Sequence, residues 1–291
     1  MTFWRNASMA GCFEGKVVVI TGASAGIGAT VARECVRQGA SVALLARRVD
    51  RLEGMKAELT AAGGRVIACT CDVTRRAELE AARERILGAW GKIDVVFANA
   101  GFGVSGVVSK LEVEDFRRQF ETNVFGVLET LYTFLPDLRA SQGRFAAVGS
   151  VMGRVGLPAS GPYTASKFAV VGLLESIYYD LADMGVSVTC INPGLVASEL
   201  RSINNQGALT ENPDPAPAWI VMPAERAARQ IVRAIHRRKP EFVVTGHGKA
   251  TVWLGRHFPR TLRTVLRLAT RGRLEKVEQL KRGATNAGEQ K

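Results

Sequence analysis

Val17-Val18-Val19-Ile20-Thr21-Gly22-Ala23-Ser24-Ala25-Gly26-Ile27-Gly28 decides the reading of this chain. Four β-branched residues predict a buried strand, the glycines after Thr21 predict a tight turn, and the stretch from Gly26 to Gln38 predicts a helix. Strand, glycine turn and helix together form the context of a phosphate-binding turn. Gly22 permits the turn, Gly26 lets backbone approach a pyrophosphate, and Gly28 allows close packing. The helix start offers free N–H groups and a partial positive charge.

Outward from that turn, short β-rich runs alternate with longer helical ones. The strands are expected at Val17–Ile20, Ser41–Ala46, Val66–Cys71, Ile93–Ala98, Arg144–Gly149, Ser187–Ile191 and Glu241–Val244. Helices are expected near Gly26–Gln38, Asp50–Ala62, Arg75–Trp90, Val113–Ala140, Tyr163–Met184 and Pro223–Arg237. Several strands are apolar throughout, as they are when helices cover both faces of a parallel sheet. The pattern predicts an α/β fold: a doubly wound Rossmann-type parallel sheet of about seven strands in a single domain, 14–245. An extension, 1–13, precedes it, and a basic helical extension, 246–291, follows. The aperiodic stretch 195–221, with Asn204, Asn205, Gly207, Asn212, Pro213, Pro215 and Pro217, is expected to be a substrate lid.

Composition excludes several classes. With 47% hydrophobic and 23% charged residues the 291-residue chain is globular, not disordered. No signal-like or ~18-residue uncharged apolar run is present, so a cytoplasmic protein is expected. Cys12, Cys35, Cys69, Cys71 and Cys190 are scattered without metal-ligand spacing, so free thiols and no metal are expected. Of the formal +12, the segment 237–291 carries +10, from 14 Lys and Arg against 4 Asp and Glu; the body is near neutral.

Further motifs follow the glycine turn in order: Asn99-Ala100-Gly101 after the fourth strand, Asn123 in the next helix, Ser150 after the fifth strand, Tyr163-x3-Lys167, and Pro193-Gly194 after the sixth strand. With Thr21-Gly22-x3-Gly26-Ile27-Gly28, they make the chain resemble the short-chain dehydrogenase/reductase family, single-domain type, over roughly Gly15 to Val244. The resemblance implies an oxidoreductase that moves a hydride between a nicotinamide and a carbonyl or alcohol. It implies that Tyr163 transfers the proton and Ser150 hydrogen-bonds the same substrate oxygen. Lys167 would hold the nicotinamide ribose, and Asn123 would anchor a water leading to solvent. Asp72 would hold the adenine amino group with backbone help from Val73. A homo-oligomer, dimer or tetramer, is implied through the helices carrying Asn123 and Tyr163.

Physical chemistry supports the central pair. Tyr163 and Lys167 are four residues apart on one helix face, so they can share a site. A free phenol has a pKa of ~10, and a neighbouring ammonium favours its ionised form. At ~4 Å and an effective dielectric of ~20 the attraction is roughly 4 kcal/mol before desolvation, enough to bring a phenol into working range.

The second strand ends Ala46-Arg47-Arg48, where NAD-selective sites place a carboxylate. Arg47 or Arg48 can instead bind a 2′-phosphate, with Ser24 adding a hydroxyl, so the expected cofactor is NADP(H). Asp50 is expected to cap the next helix. Together with the positions that the resemblance implies, the nucleotide set is Gly22, Ser24, Gly26, Ile27, Gly28, Arg47, Arg48, Asp72, Val73, Asn99, Ala100, Gly101, Tyr163, Lys167, Pro193, Gly194, Val196 and Ser198. Val196-Ala197-Ser198 stands where the family commonly has V/I-x-T contacting the carboxamide.

By family geometry the substrate lies beside Ser150 and Tyr163, near Phe102, Val104, Met152, Val155, Leu157, Leu195, Leu200, Ile203, Trp219 and Ile220. An apolar substrate of moderate size suits such a lining. Pro259 to Arg271 predicts an amphipathic helix, with Arg260, Arg263, Arg267 and Arg271 on one side and Leu262, Val265, Leu266 and Ala269 on the other. Its apolar side packs on the body or a partner subunit, or the segment 249–273 lies on an anionic membrane; nucleic acid is disfavoured for want of a recognition motif. Two other functions compete with catalysis: a non-catalytic NADP(H)-binding regulator and a membrane-associated scaffold.

Overall fold

The computed structural model describes residues 11–199 and 216–270, and in it seven strands form one parallel sheet. They are β1 (Val17–Thr21), β2 (Ser41–Ala46), β3 (Arg65–Thr70), β4 (Val95–Ala98), β5 (Arg144–Val148), β6 (Ser187–Asn192) and β7 (Glu241–Val243), in the order β3-β2-β1-β4-β5-β6-β7. Val18 pairs with Val42 on one side and with Val95 on the other. Chain order runs outward in both directions from the β1–β4 pair. The carboxyl ends of those two strands therefore open a crevice between diverging connections. Leu200, Ile203, Asn204, Asn205, Gly207, Asn212, Pro213, Pro215 and Arg271 lie outside the described residues.

Side-chain alternation along each strand builds two cores. Val18 and Ile20 of β1 point to one layer, covered by α1 (Gly26–Arg37), α2 (Val49–Ala61) and α7 (Ala224–His236). Val17 and Val19 point to the other, covered by α3 (Arg76–Trp90), α5 (Gly126–Ala140) and α6 (Gly161–Ala182). Asp94 pins the entry to the sheet: one carboxylate oxygen accepts from the Val17 N–H at 2.9 Å and the other from Lys16 Nζ at 2.9 Å. Burial pushes this carboxyl up, but the Val17 N–H, Lys16 and Lys92 outweigh it and hold it below its ordinary value.

Several expected boundaries shift. The stretch Val113–Ala140 is not one regular α-helix: α4 (Val113–Phe120) passes through a π turn, Glu121–Phe125, into α5. The extra residue of a π turn rotates the faces of the helix, and Asn123 ends up fully buried. Asp50 lies in the first turn of α2 and does not cap it; Arg48 holds the cap position, and its side chain makes no bond to the helix end. Phe13, assigned to the N-terminal extension, is 1% exposed and meets His236 edge-on. The C-terminal segment is also docked where it begins. In α8 (Gly246–His257) a Cβ on Gly248 would meet Val151, and one on Gly255 would meet Val155. α9 (Pro259–Thr270) folds back on α8 with Leu262 over Gly255.

Candidate active site

The glycine turn is shaped by what it touches. Gly22 adopts φ +65°, and a Cβ there would come within 2.8 Å of Ala100 Cα. A Cβ on Gly28 would lie 2.5 Å from Asn99 Nδ2 and from the Gly22 carbonyl oxygen. Gly28 therefore serves close packing, as expected, but against the loop after β4. Ala25 at the α1 cap position makes no side-chain bond, and the first turn has no carboxylate. The α1 N-terminus is thus left without an internal anion.

Asn99 is part of the scaffold of this crevice. Its Nδ2 donates to the carbonyls of Thr21 and Gly22 at 3.0 and 3.2 Å, while Thr21 Oγ1 accepts from the N–H groups of Asn99 and Ala100. The loop beyond is clamped by two buried amides. Asn123 Oδ1 accepts from the Phe102 N–H at 3.1 Å, and its Nδ2 donates to the Phe102 carbonyl and to Ser166 Oγ. Gln119 bonds the Phe102 carbonyl and the Val104 N–H. The Asn123 side chain is committed to the Phe102 loop and α6.

Tyr163 and Lys167, one turn apart near the start of α6, both line the crevice. Lys167 Nζ donates to the Val148 carbonyl at 2.7 Å and lies 5.7 Å from the centroid of the Tyr163 ring. Burial lowers the Lys167 ammonium to about 8. Ser150 follows β5: its N–H donates to Asn192 Oδ1 at 3.0 Å, and its Oγ accepts from the Met152 N–H at 3.0 Å. Accepting that bond leaves the serine proton available to donate.

At the other end the crevice is lined by Ser24, Ala46, Arg47, Arg48, Asp72, Val73, Ser198 and Glu199. Asp72 Oδ1 accepts from the Thr74 N–H and hydroxyl, and Arg47 stands 3.8 Å from its other oxygen with two-thirds of the arginine side chain exposed. Arg48 donates to Ser24 Oγ and to Glu199 at 3.2 Å; Arg51 donates to both Glu199 oxygens at 2.7 and 2.8 Å. Burial pushes the Glu199 carboxyl up, but Arg51 and Arg48 outweigh it and hold it below its ordinary value. A carboxylate therefore sits in the arginine cluster at the end of β2.

After β6, the Pro193 carbonyl accepts from the Val151 N–H, and Gly194 is packed against Thr245 and His247. His247 Nε2 accepts from the Leu195 N–H at 3.0 Å. Burial lowers its pKa, keeping that lone pair available. Val196 is 2% exposed, packed within the core, and is not among the residues that line the crevice. Ser198 lines the crevice beside Gly26.

Of the apolar residues expected around the substrate, Phe102 lines the crevice, whereas Val104 and Val155 are buried in packing and Trp219 is 85% exposed. The sequence reading missed Arg51, Gln119, Asn192, Glu199 and His247. Only Asn192, immediately before Pro193-Gly194, carried a positional hint. The other four act through contacts between distant segments.

The family described as short chain dehydrogenase matches residues 16–208. Glycine betaine reductase ATRR of Emericella nidulans is 36% identical over 235 residues, 80% of this chain but 18% of that much longer protein. A short-chain dehydrogenase/reductase from Burkholderia phymatum, solved in complex with NAD, superposes with a TM-score of 0.76 at 27% identity, covering 86% of this chain and 95% of its own. An alcohol dehydrogenase from Thermococcus sibiricus, complexed with 5-hydroxy-NADP, gives 0.69 at 30% identity, covering 79% and 96%.

Proposed function

The chain belongs to the short-chain dehydrogenase family, and on that premise we propose that it is an NADP(H)-dependent oxidoreductase acting on a carbonyl or alcohol of an apolar substrate. The observation that carries the reading is a buried lysine, tied to the Val148 carbonyl and set beside Tyr163 in the same crevice as the glycine turn. A dinucleotide fits this crevice: an uncapped helix start stands at the glycine turn, arginines stand at the end of β2, and Tyr163 with Lys167 stand along the lining. Bound nicotinamide supplies or accepts the hydride.

The chain's own residues do the rest. Lys167 spends one N–H on Val148 and keeps two others for the ribose hydroxyls and the Tyr163 oxygen. Its charge favours the phenolate, so Tyr163 can give a proton to a carbonyl oxygen or take one from an alcohol. Ser150, its backbone held by Asn192, donates its hydroxyl proton to the same oxygen. Asn123 positions the Phe102 loop that borders the reacting centre. Arg48 and Ser24, with Arg47 alongside, take the 2′-phosphate.

The experiment is NADPH consumption against a panel of apolar ketones, run beside calorimetric titration of both reduced cofactors. Tyr163→Phe should lower turnover by about 10²–10⁴-fold while NADPH binding stays as in the parent. Undiminished turnover in that variant refutes the role of Tyr163. NADH binding at least as tight as NADPH refutes the cofactor assignment.

A further inference from the structure

We propose that the α8–α9 hairpin is a binding face for an anionic membrane surface. α8 turns one side to the body, through Gly248 on Val151 and Gly255 on Val155. At ~100° per residue, Trp253 lies roughly opposite those two glycines, pointing outward. It is 55% exposed, stacks on His257 with ring centroids 5.0 Å apart, and meets Phe258 at 5.7 Å. Phe258 is itself 51% exposed. An outward indole and phenyl in contact, each about half exposed, make an apolar patch of the kind that seats at the headgroup level of a bilayer.

Charge selects the occupant. Residues 242–274 contain no Asp or Glu, and Lys249, Arg256, Arg260, Arg263 and Arg267 are all exposed. Among the described residues none of these five cations makes an ion pair. A second copy docking here would bring two such arrays together against repulsion. Nucleic acid would answer the cations but not the half-exposed aliphatic side chains of Val265 and Leu268 on α9. Anionic lipid answers both, phosphates to the arginines and acyl chains to the apolar groups. The contact is peripheral, since no helix among the described residues is long and apolar enough to cross a membrane.

The placement has a consequence for the crevice. The body side of α8 rests on the segment just after Ser150, and His247 at its start holds Leu195. A helix is about 10 Å thick, so lipid on its outer side would lie roughly one helix diameter from the loops after β5 and β6. An apolar substrate dissolved in the bilayer would then reach the protein on the side where those loops stand. The membrane face does not depend on the redox reading.

The test is co-sedimentation of the full chain with vesicles of phosphatidylcholine alone, or of phosphatidylglycerol and phosphatidylcholine at one to three, in low and high salt. The proposal expects partition onto the anionic vesicles in low salt, weakened by salt. Each arginine near such a surface is worth roughly fivefold in partition, so Arg260→Gln/Arg263→Gln/Arg267→Gln should lose on the order of a hundredfold. Trp253→Ala/Phe258→Ala should also lose binding, and its thermal melt should match the parent because both side chains are exposed. Vesicles should blue-shift the emission of the parent but not of Trp253→Phe. No anionic partition, equal partition onto neutral vesicles, or unchanged binding in both multiple variants would overturn it. So would a parent that ignores vesicles but self-associates through Trp253 and Phe258 or binds a short DNA duplex.

Discussion

Glu199→Gln is expected to tighten binding of every ligand that carries a 2′-phosphate. In the structure Glu199 bridges Arg51, at 2.7 and 2.8 Å, and Arg48, at 3.2 Å, while Arg48 also holds Ser24. A phosphate entering this cluster must displace the carboxylate or sit beside it, and either way the negative charge opposes it. The side chains involved are 35–42% exposed, so solvent screens each pair. Exposed pairs are worth about 0.2–1 kcal/mol each, and two of them give about 1 kcal/mol in all. Since 1.36 kcal/mol is tenfold, removing the charge should improve NADPH and 2′,5′-ADP affinity by about fivefold. Glutamine keeps the shape and can still accept from one arginine, so the change isolates charge. The assay is calorimetric titration of parent and variant with NADPH, NADH and 2′,5′-ADP. NADH affinity should move by less than about twofold, because it brings no second anion to the cluster. Equal tightening of NADH and NADPH, or weakened NADPH binding, would refute the competition between Glu199 and the phosphate.

Three other outcomes follow from the geometry. Gly28→Ala places a methyl 2.5 Å from Asn99 Nδ2 and the Gly22 carbonyl; it should cost about 1–3 kcal/mol in urea unfolding and abolish nucleotide binding, and a near-neutral melt would contradict the packing role. Asn123→Ala leaves the part-buried Phe102 N–H without its acceptor and should destabilise by about 1–3 kcal/mol, with a raised KM if the Phe102 loop drifts. Lys167 titrates at about 8 in the folded chain against an ordinary 10.5. Between those values the unfolded chain keeps the proton that the native chain has released, so stability rises with pH across the window, a gain that Lys167→Met should erase. Over the same window kcat/KM for carbonyl reduction should fall as the ammonium is lost. A profile flat to the upper end of the window would remove Lys167 from proton transfer.

The strands and most helices were legible because they are written in local order. A buried parallel strand is apolar along most of its length, as β1, β2 and β4 are, whereas β3 carries Arg65, β5 Arg144, and β6 Ser187, Thr189 and Asn192. The sequence also exposed the glycine turn, Tyr163 with Lys167, and the arginines at the end of β2, each a matter of residues a few places apart, but not the Glu199 carboxylate that the fold brings among those arginines. It misread Val113–Ala140 as one regular helix, since a π turn has no local signature strong enough to set against good helical periodicity. It also placed Val104 and Val155 at the substrate, where the structure buries them in packing.

What sequence alone determined, then, was the set of elements, their parallel pairing and the chemistry near each strand end, because hydrophobic period and backbone freedom act over a few residues. Which atoms meet across those ends was decided only by tertiary structure. Arg51 and Glu199 are 148 residues apart, His247 and Leu195 are 52, and Asn192 and Ser150 are 42. A carboxylate among arginines or an imidazole on a loop N–H depends on two segments arriving at one place, and a linear chain carries no short-range mark of that arrival.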